Sequence, residues 1–165
     1  MGLDAWVWCD CVEKGRLRVP HPQPELLLLD ETGGPDIASQ DPTVIERHDE
    51  WLLRSPCEHS ECALVSHYLG NIGRIEILRR TLDALRPNAD LEFPVLRTQV
   101  IHSGSHCGDF LAPGEVEKLR GELKQLRALN FAKLGAEEAA YWQEFLRQMD
   151  ELADASLAVG KPIVF

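Results

Sequence analysis

A chain of 165 residues with 44% apolar side chains has the length of one domain, 1–165, and enough apolar volume for a core without staples. Its 27 acidic residues against 17 basic ones give a formal charge of −10, which excludes unaided binding to a nucleic-acid backbone, where Lys and Arg must neutralise phosphates. That charge suits a basic protein partner or plain solubility. The longest apolar tract, Leu26 to Leu29, falls far short of a membrane span, and MGLDAWVWCD lacks the basic and apolar runs of a secretory signal, so a cytoplasmic chain with no membrane partner is expected. Five Cys, an odd number, then read as reduced thiols or metal ligands before a disulfide framework.

Leu3 to Val12 alternates like a strand, with Leu3, Ala5, Val7, Cys9 and Cys11 on one face and Asp4, Trp6, Trp8 and Asp10 on the other. Cys9 and Cys11 on that face read first as small core fillers, because an extended Cys-x-Cys does not converge on one ion without a turn. Lys14-Gly15 is a turn, and Pro20-His21-Pro22-Gln23-Pro24 is a polyproline-like connector. Glu25 to Asp30 predicts a short buried strand, and Thr32-Gly33-Gly34-Pro35 through Gln40 a loop. Asp41-Pro42 supplies an N-cap followed by Pro at N1, and Ile45, His48 and Leu52 carry a helical stripe up to Arg54, ended by Pro56.

Cys57-Glu58-His59-Ser60-Glu61-Cys62 is a dense cluster of metal-ligating types. Cys57, His59 and Cys62 offer zinc two thiolates and an imidazole, its preferred donors. Three ligands do not close a structural site, so a fourth has to come from elsewhere: Cys9, Cys11, His102, His106 or Cys107. Read as structure alone, the same segment is an ordinary loop leading into the next helix.

From Ala63 to Arg86, apolar residues at Leu64, Tyr68, Ile72, Ile75, Leu78, Leu82 and Leu85 recur every three or four positions and predict a core helix. Gly70 and Gly73 weaken its first half, so that helix propagates from Asn71 onward. Arg74, Arg79, Arg80 and Arg86 add a basic stripe, read as a solvated face with pairs such as Glu76–Arg80. Pro87-Asn88 breaks it, and Phe93 to Ile101 returns to strand character. Gln99 to Lys118 is the densest stretch in reactive groups, with His102, His106, Cys107 and Asp109 on a glycine-bracketed loop. There, His102 or His106 acting as base toward Cys107, with Asp109 orienting the imidazole, is the constellation a nucleophilic thiol enzyme requires. Leu111 to Leu129 and Ala136 to Ala158 are two further amphipathic helices, the second followed by Gly160 and Pro162, and Ile163 to Phe165 closes as a short strand.

The second half, about 100 residues, carries His67-Tyr68, His102-Ser103, Cys107-Gly108, Leu111-Ala112-Pro113 and Gly160-Lys161-Pro162 through Phe165. In these features it resembles a group of small uncharacterised bacterial proteins with a His-Ser-x-x-Cys-Gly pattern, which in turn resemble proteins of toxin-neutralising immunity repertoires. The match departs where Gly104-Ser105-His106 lengthens the His-to-Cys spacing. What the resemblance implies is a protein that masks a basic toxin with an acidic surface, without catalysis. Expected overall is an α+β fold in which a small, mostly antiparallel sheet of the Leu3, Glu25, Phe93 and Ile163 segments is packed by about three long helices. The leading function is acidic protein binding of the immunity or antitoxin kind; a metal- or thiol-dependent enzyme on the His102–Asp109 loop and a zinc-stabilised protein are the alternatives.

Overall fold

The computed structural model describes residues 2–104, 108–129, 131 and 134–165. Strand β1 (Gly2–Trp8) is central in an antiparallel four-stranded sheet of order β4-β1-β6-β5, where β4 is Ala63–Asn71, β5 Phe110–Leu111 and β6 Ile163–Val164. The alternation of β1 works as its sequence predicts: Leu3, Ala5 and Val7 are buried, whereas Asp4 is exposed and Trp6 and Trp8 are half-buried. Against the buried side pack α2 (Ile72–Leu85), α4 (Pro113–Arg127) and α5 (Ala136–Val159), whose Ile75, Leu78, Leu82, Val116, Leu119, Leu123, Trp142, Phe145, Met149 and Leu152 fill the main core. The fold is α+β.

Two segments depart from their sequence patterns. Ala63–Asn71, read as the first half of a helix, is strand β4, in register with β1 from Gly2↔Asn71 to Trp8↔Ala63; helix α2 begins only after Asn71, whose side chain accepts the Arg74 N–H as an N-cap. The four-residue spacing of Leu64 and Tyr68 mimics a helical stripe, yet Tyr68 is exposed and its neighbour Leu69 is buried, as a two-residue period requires. Gly70 makes the strand's last bend at φ +148°, beside the Tyr141 hydroxyl, which donates to the Leu69 carbonyl at 2.7 Å.

Phe93 to Ile101, expected as a strand, is helical: a short α3 (Ala89–Glu92) leads into a π-helical turn at Leu96–Val100. The cause lies on α4. Buried Glu122 accepts the Val95 N–H at 2.9 Å and the Leu96 N–H at 2.8 Å, meeting amides that a helix start leaves unpaired. Glu122→Ala is therefore expected to cost about 2 kcal/mol in urea denaturation, with Glu122→Gln, which keeps one acceptor, costing less.

The expected Glu25 strand is real but shorter and separate. Strand β2 (Leu27–Leu29) pairs with β3 (Pro35–Ile37) in its own two-stranded sheet, and Leu28 and Leu29 are exposed rather than buried. With helix α1 (Pro42–Leu53), this ribbon belongs to a second, smaller core of Cys9, Cys11, Trp51, Cys57 and Cys62, edged by Trp8, Val12, Leu17, Leu27, Leu52 and Leu64. Asp41 caps α1 by accepting the Thr43 N–H at 2.9 Å, with Pro42 at the first helical position. Two three-residue strands and a 12-residue helix bury little apolar surface, so this lobe depends on polar ties as well as on its core. No helix among the described residues is long and apolar enough to cross a membrane.

Candidate metal centre

Strand β1 ends at Trp8, and the chain then curls tightly instead of running extended to Val12 as expected. The Cys9 N–H donates to the Cys62 carbonyl at 2.8 Å, the Lys14 N–H to the Asp10 carbonyl at 3.0 Å and the Arg16 N–H to the Cys11 carbonyl at 2.8 Å. Asp10 is clasped by Lys14 and Arg16, which hold its carboxyl below the usual range. Curled in this way, Cys9 and Cys11 point at one locus.

The other half comes from the segment after α1. Pro56 offers its carbonyl to the Arg18 and Val19 amides at 2.7 and 3.1 Å, which docks the Cys57 loop on the connector. Beyond it, Glu61 and Cys62 both take left-handed backbone at φ 50° and 60°, a conformation that costs an L residue free energy and persists where surroundings enforce it. These restraints bring Cys57 and His59 against Cys9 and Cys11.

The ligand atoms of Cys9, Cys11, Cys57 and His59 all lie within 4.8 Å of one another, with the three Cys buried and His59 half-buried. Cys9 Sγ stands 3.7 Å from Cys57 Sγ, and His59 Nδ1 stands 3.5 Å from Cys11 Sγ and 3.7 Å from Cys57 Sγ. Around a tetrahedral zinc with ordinary bond lengths, two thiolates sit about 3.8 Å apart and a thiolate and an imidazole nitrogen about 3.6 Å. Three of the six edges of the cluster have the lengths of that tetrahedron and the others are no longer than 4.8 Å, so the donors can hold a metal ion such as zinc.

Electrostatics sets a condition on that use. Burial pushes the Cys57 thiol up to about 11 and raises that of Cys11, while a hydrogen bond with Cys62 and then burial raise Cys9. Three buried thiols are thus poor thiolates by themselves, and a divalent cation is the charge that reverses the preference. His59 turns Nδ1 to the sulfurs, and its Nε2 has the Glu58 carboxylate 4.0 Å away, beyond hydrogen-bond reach.

No family model, curated protein or solved structure matches this chain. Of the candidate ligands Cys57, His59 and Cys62, the first two stand in the four-donor group; Cys62 is buried beside Cys9 in the same apolar cluster but outside those four. Cys9 and Cys11, read first as core fillers, complete the group, and the turn-forming Glu13-Lys14-Gly15 just after them is the signal that the strand stops early enough for both to converge.

At the β5 edge of the sheet, His102 and Asp109 line one shallow cleft of about 340 Å3 with Thr98, Gln99, Gly108, Phe110, Leu111 and Phe165. His102 Nδ1 meets the Gln99 carbonyl at 3.1 Å, which places a proton on Nδ1. His106 and Cys107, the other members of the expected nucleophilic constellation, lie outside the described residues.

Proposed function

We propose that this chain is a small acidic binding protein whose N-terminal lobe is held together by one structural zinc ion on Cys9, Cys11, Cys57 and His59. The match between the sulfur–sulfur and sulfur–nitrogen separations and a zinc tetrahedron carries the reading. A closed Cys3His set gives zinc four protein ligands, the pattern of structural rather than catalytic sites. A zinc ion held there supplies a cross-link between the β1 end and the loop after α1, segments about 46 to 50 residues apart in sequence, where apolar burial is thin.

The net charge of −10 favours a basic protein as partner, through complementary fields that speed and orient encounter. The resemblance of the second half to proteins of immunity repertoires points the same way, toward a toxin of basic surface. Two measurements on untagged protein test this reading. Metal analysis is expected to find one zinc per chain, and the cobalt-substituted protein to show thiolate-to-cobalt charge-transfer and tetrahedral ligand-field bands; folded, metal-free protein with no such bands would sink the zinc assignment. Co-purification is expected to bring down a basic protein in near-stoichiometric amount, released by salt.

A further inference from the structure

A buried pair of histidines lies next to the metal lobe and plays no part in holding the metal. His21, from the proline-rich connector, and His48, from α1, are 4% and 5% exposed, and their Nε2 and Nδ1 atoms meet at 3.2 Å. The Gln23 N–H donates to His21 Nδ1 at 3.1 Å, so that nitrogen carries no proton and Nε2 does. His21 Nε2–H must then donate to His48 Nδ1, and the remaining His48 N–H is directed at the backbone of Pro35. The relay has one proton for each hydrogen bond. An extra proton on His21 Nδ1 would face the Gln23 N–H, and one on His48 Nδ1 would face His21 Nε2–H.

The pair also fixes Trp51. Its ring packs edge-on to His21 at 4.8 Å and beside His48 at 5.8 Å, and its Nε1–H donates to the Val19 carbonyl at 2.9 Å. Three chain segments, the 19–23 connector, β3 and α1, are joined at this point.

We propose that His21 and His48 form an acid-sensitive latch: with one proton per hydrogen bond it clasps the proline-rich connector to α1, and a further proton releases the connector and uncovers Trp51. The charged surroundings are Asp49 on α1 and Asp36 on β3, whose fields favour a protonated His48, while Arg47, Glu50 and Arg54 line the shallow groove between connector and helix. Burial, and then the facing His21, outweigh those carboxylates and lower the His48 value below that of an ordinary histidine. For a base lowered in the folded state, stability is full above the unfolded value of about 6.5 and is lost as pH falls through the folded value, so the latch is closed at neutral pH and opens in acid.

The test is made on the zinc-loaded protein, with metal content followed at each pH through the cobalt-substituted form. Long-range nitrogen–proton NMR at pH 7.5 is expected to show both rings protonated at Nε2, and His48 to titrate below 6.5. Exchange protection of the Trp51 indole N–H and the Gln23 amide is expected to fall at least tenfold, after correction for intrinsic rates, as His48 takes its proton. In the variant His21→Leu/His48→Leu, which replaces the polar pair by apolar side chains, that pH dependence is expected to shrink below twofold. The proposal is overturned by an Nδ1-protonated His48, by His48 charging with Trp51 protection unchanged, by an undiminished pH response in the double variant, or by cobalt loss preceding the opening.

Discussion

Replacing Cys57 by Ser in the metal-loaded protein is expected to abolish stoichiometric zinc and to unfold the lobe between Cys9 and Cys62, while leaving the sheet and the α4–α5 core in place. Structural zinc contributes on the order of 10 kcal/mol to the folding of small metal-dependent units, far more than two three-residue strands and one short helix supply. Amide exchange is the direct readout: protection is expected to vanish over α1 and the β2–β3 ribbon and to persist over β1, α4 and α5. Chelation of the unaltered protein is expected to give the same pattern and zinc to reverse it. Cys62→Ser is the contrasting variant, because Cys62 lies outside the four-donor group and its loss removes only a buried neighbour of Cys9. That variant is expected to keep one zinc per chain, and equal zinc loss from Cys62→Ser and Cys57→Ser would show the ligand set to be different.

Lys161→Met is expected to destabilise the protein by about 3 kcal/mol, measured as a lowered urea midpoint with unchanged slope. Lys161 is 5% exposed, and its ammonium donates to the Cys9 carbonyl at 2.6 Å, the Gly33 carbonyl at 2.7 Å and the Glu13 carboxylate at 2.7 Å. One side chain thus ties the stretch before β6 to the Cys9–Glu13 curl and to the β2–β3 turn. Methionine keeps the volume and removes all three donors, stranding two backbone carbonyls. Glu13 is about a third exposed, so its carboxylate contributes less than the carbonyls do, and Glu13→Gln is expected to cost only about 1 kcal/mol.

The helices α4 and α5 are legible in the sequence because their apolar positions face one continuous core; Val116, Leu119, Leu123 and Leu126 are all buried, as are Phe145, Met149, Leu152 and Ser156. Trp142, the largest side chain of that core, lies three rather than four positions before Phe145, a choice of phase that periodicity alone does not make. The strand at Ala63 and the helical turn at Leu96 are hidden for a different reason. Each is decided by a distant partner: β1 lies some 60 residues upstream of β4, and Glu122 is 26 residues beyond the Leu96 amide it caps. Cys57 and His59 declare themselves through local spacing, whereas the choice of Cys9 and Cys11 as their companions depends on a hydrogen-bonded curl with no sequence period to announce it.

The order of strands in the main sheet bears on how the chain is made. β1 lies between β4 and β6, and its second neighbour, β6, is translated long after it, since the paired Trp6 and Val164 are 158 residues apart (164 − 6). Until residues 163 and 164 leave the ribosome, one side of the opening strand has no hydrogen-bonding mate, a hazard for pairing with foreign chains. The four candidate donors, none of them beyond residue 59, are available long before then. Metal capture on the nascent chain would anchor the end of that strand during the interval, so growth in zinc-starved cells is expected to raise misassembly during synthesis more than it destabilises protein already complete.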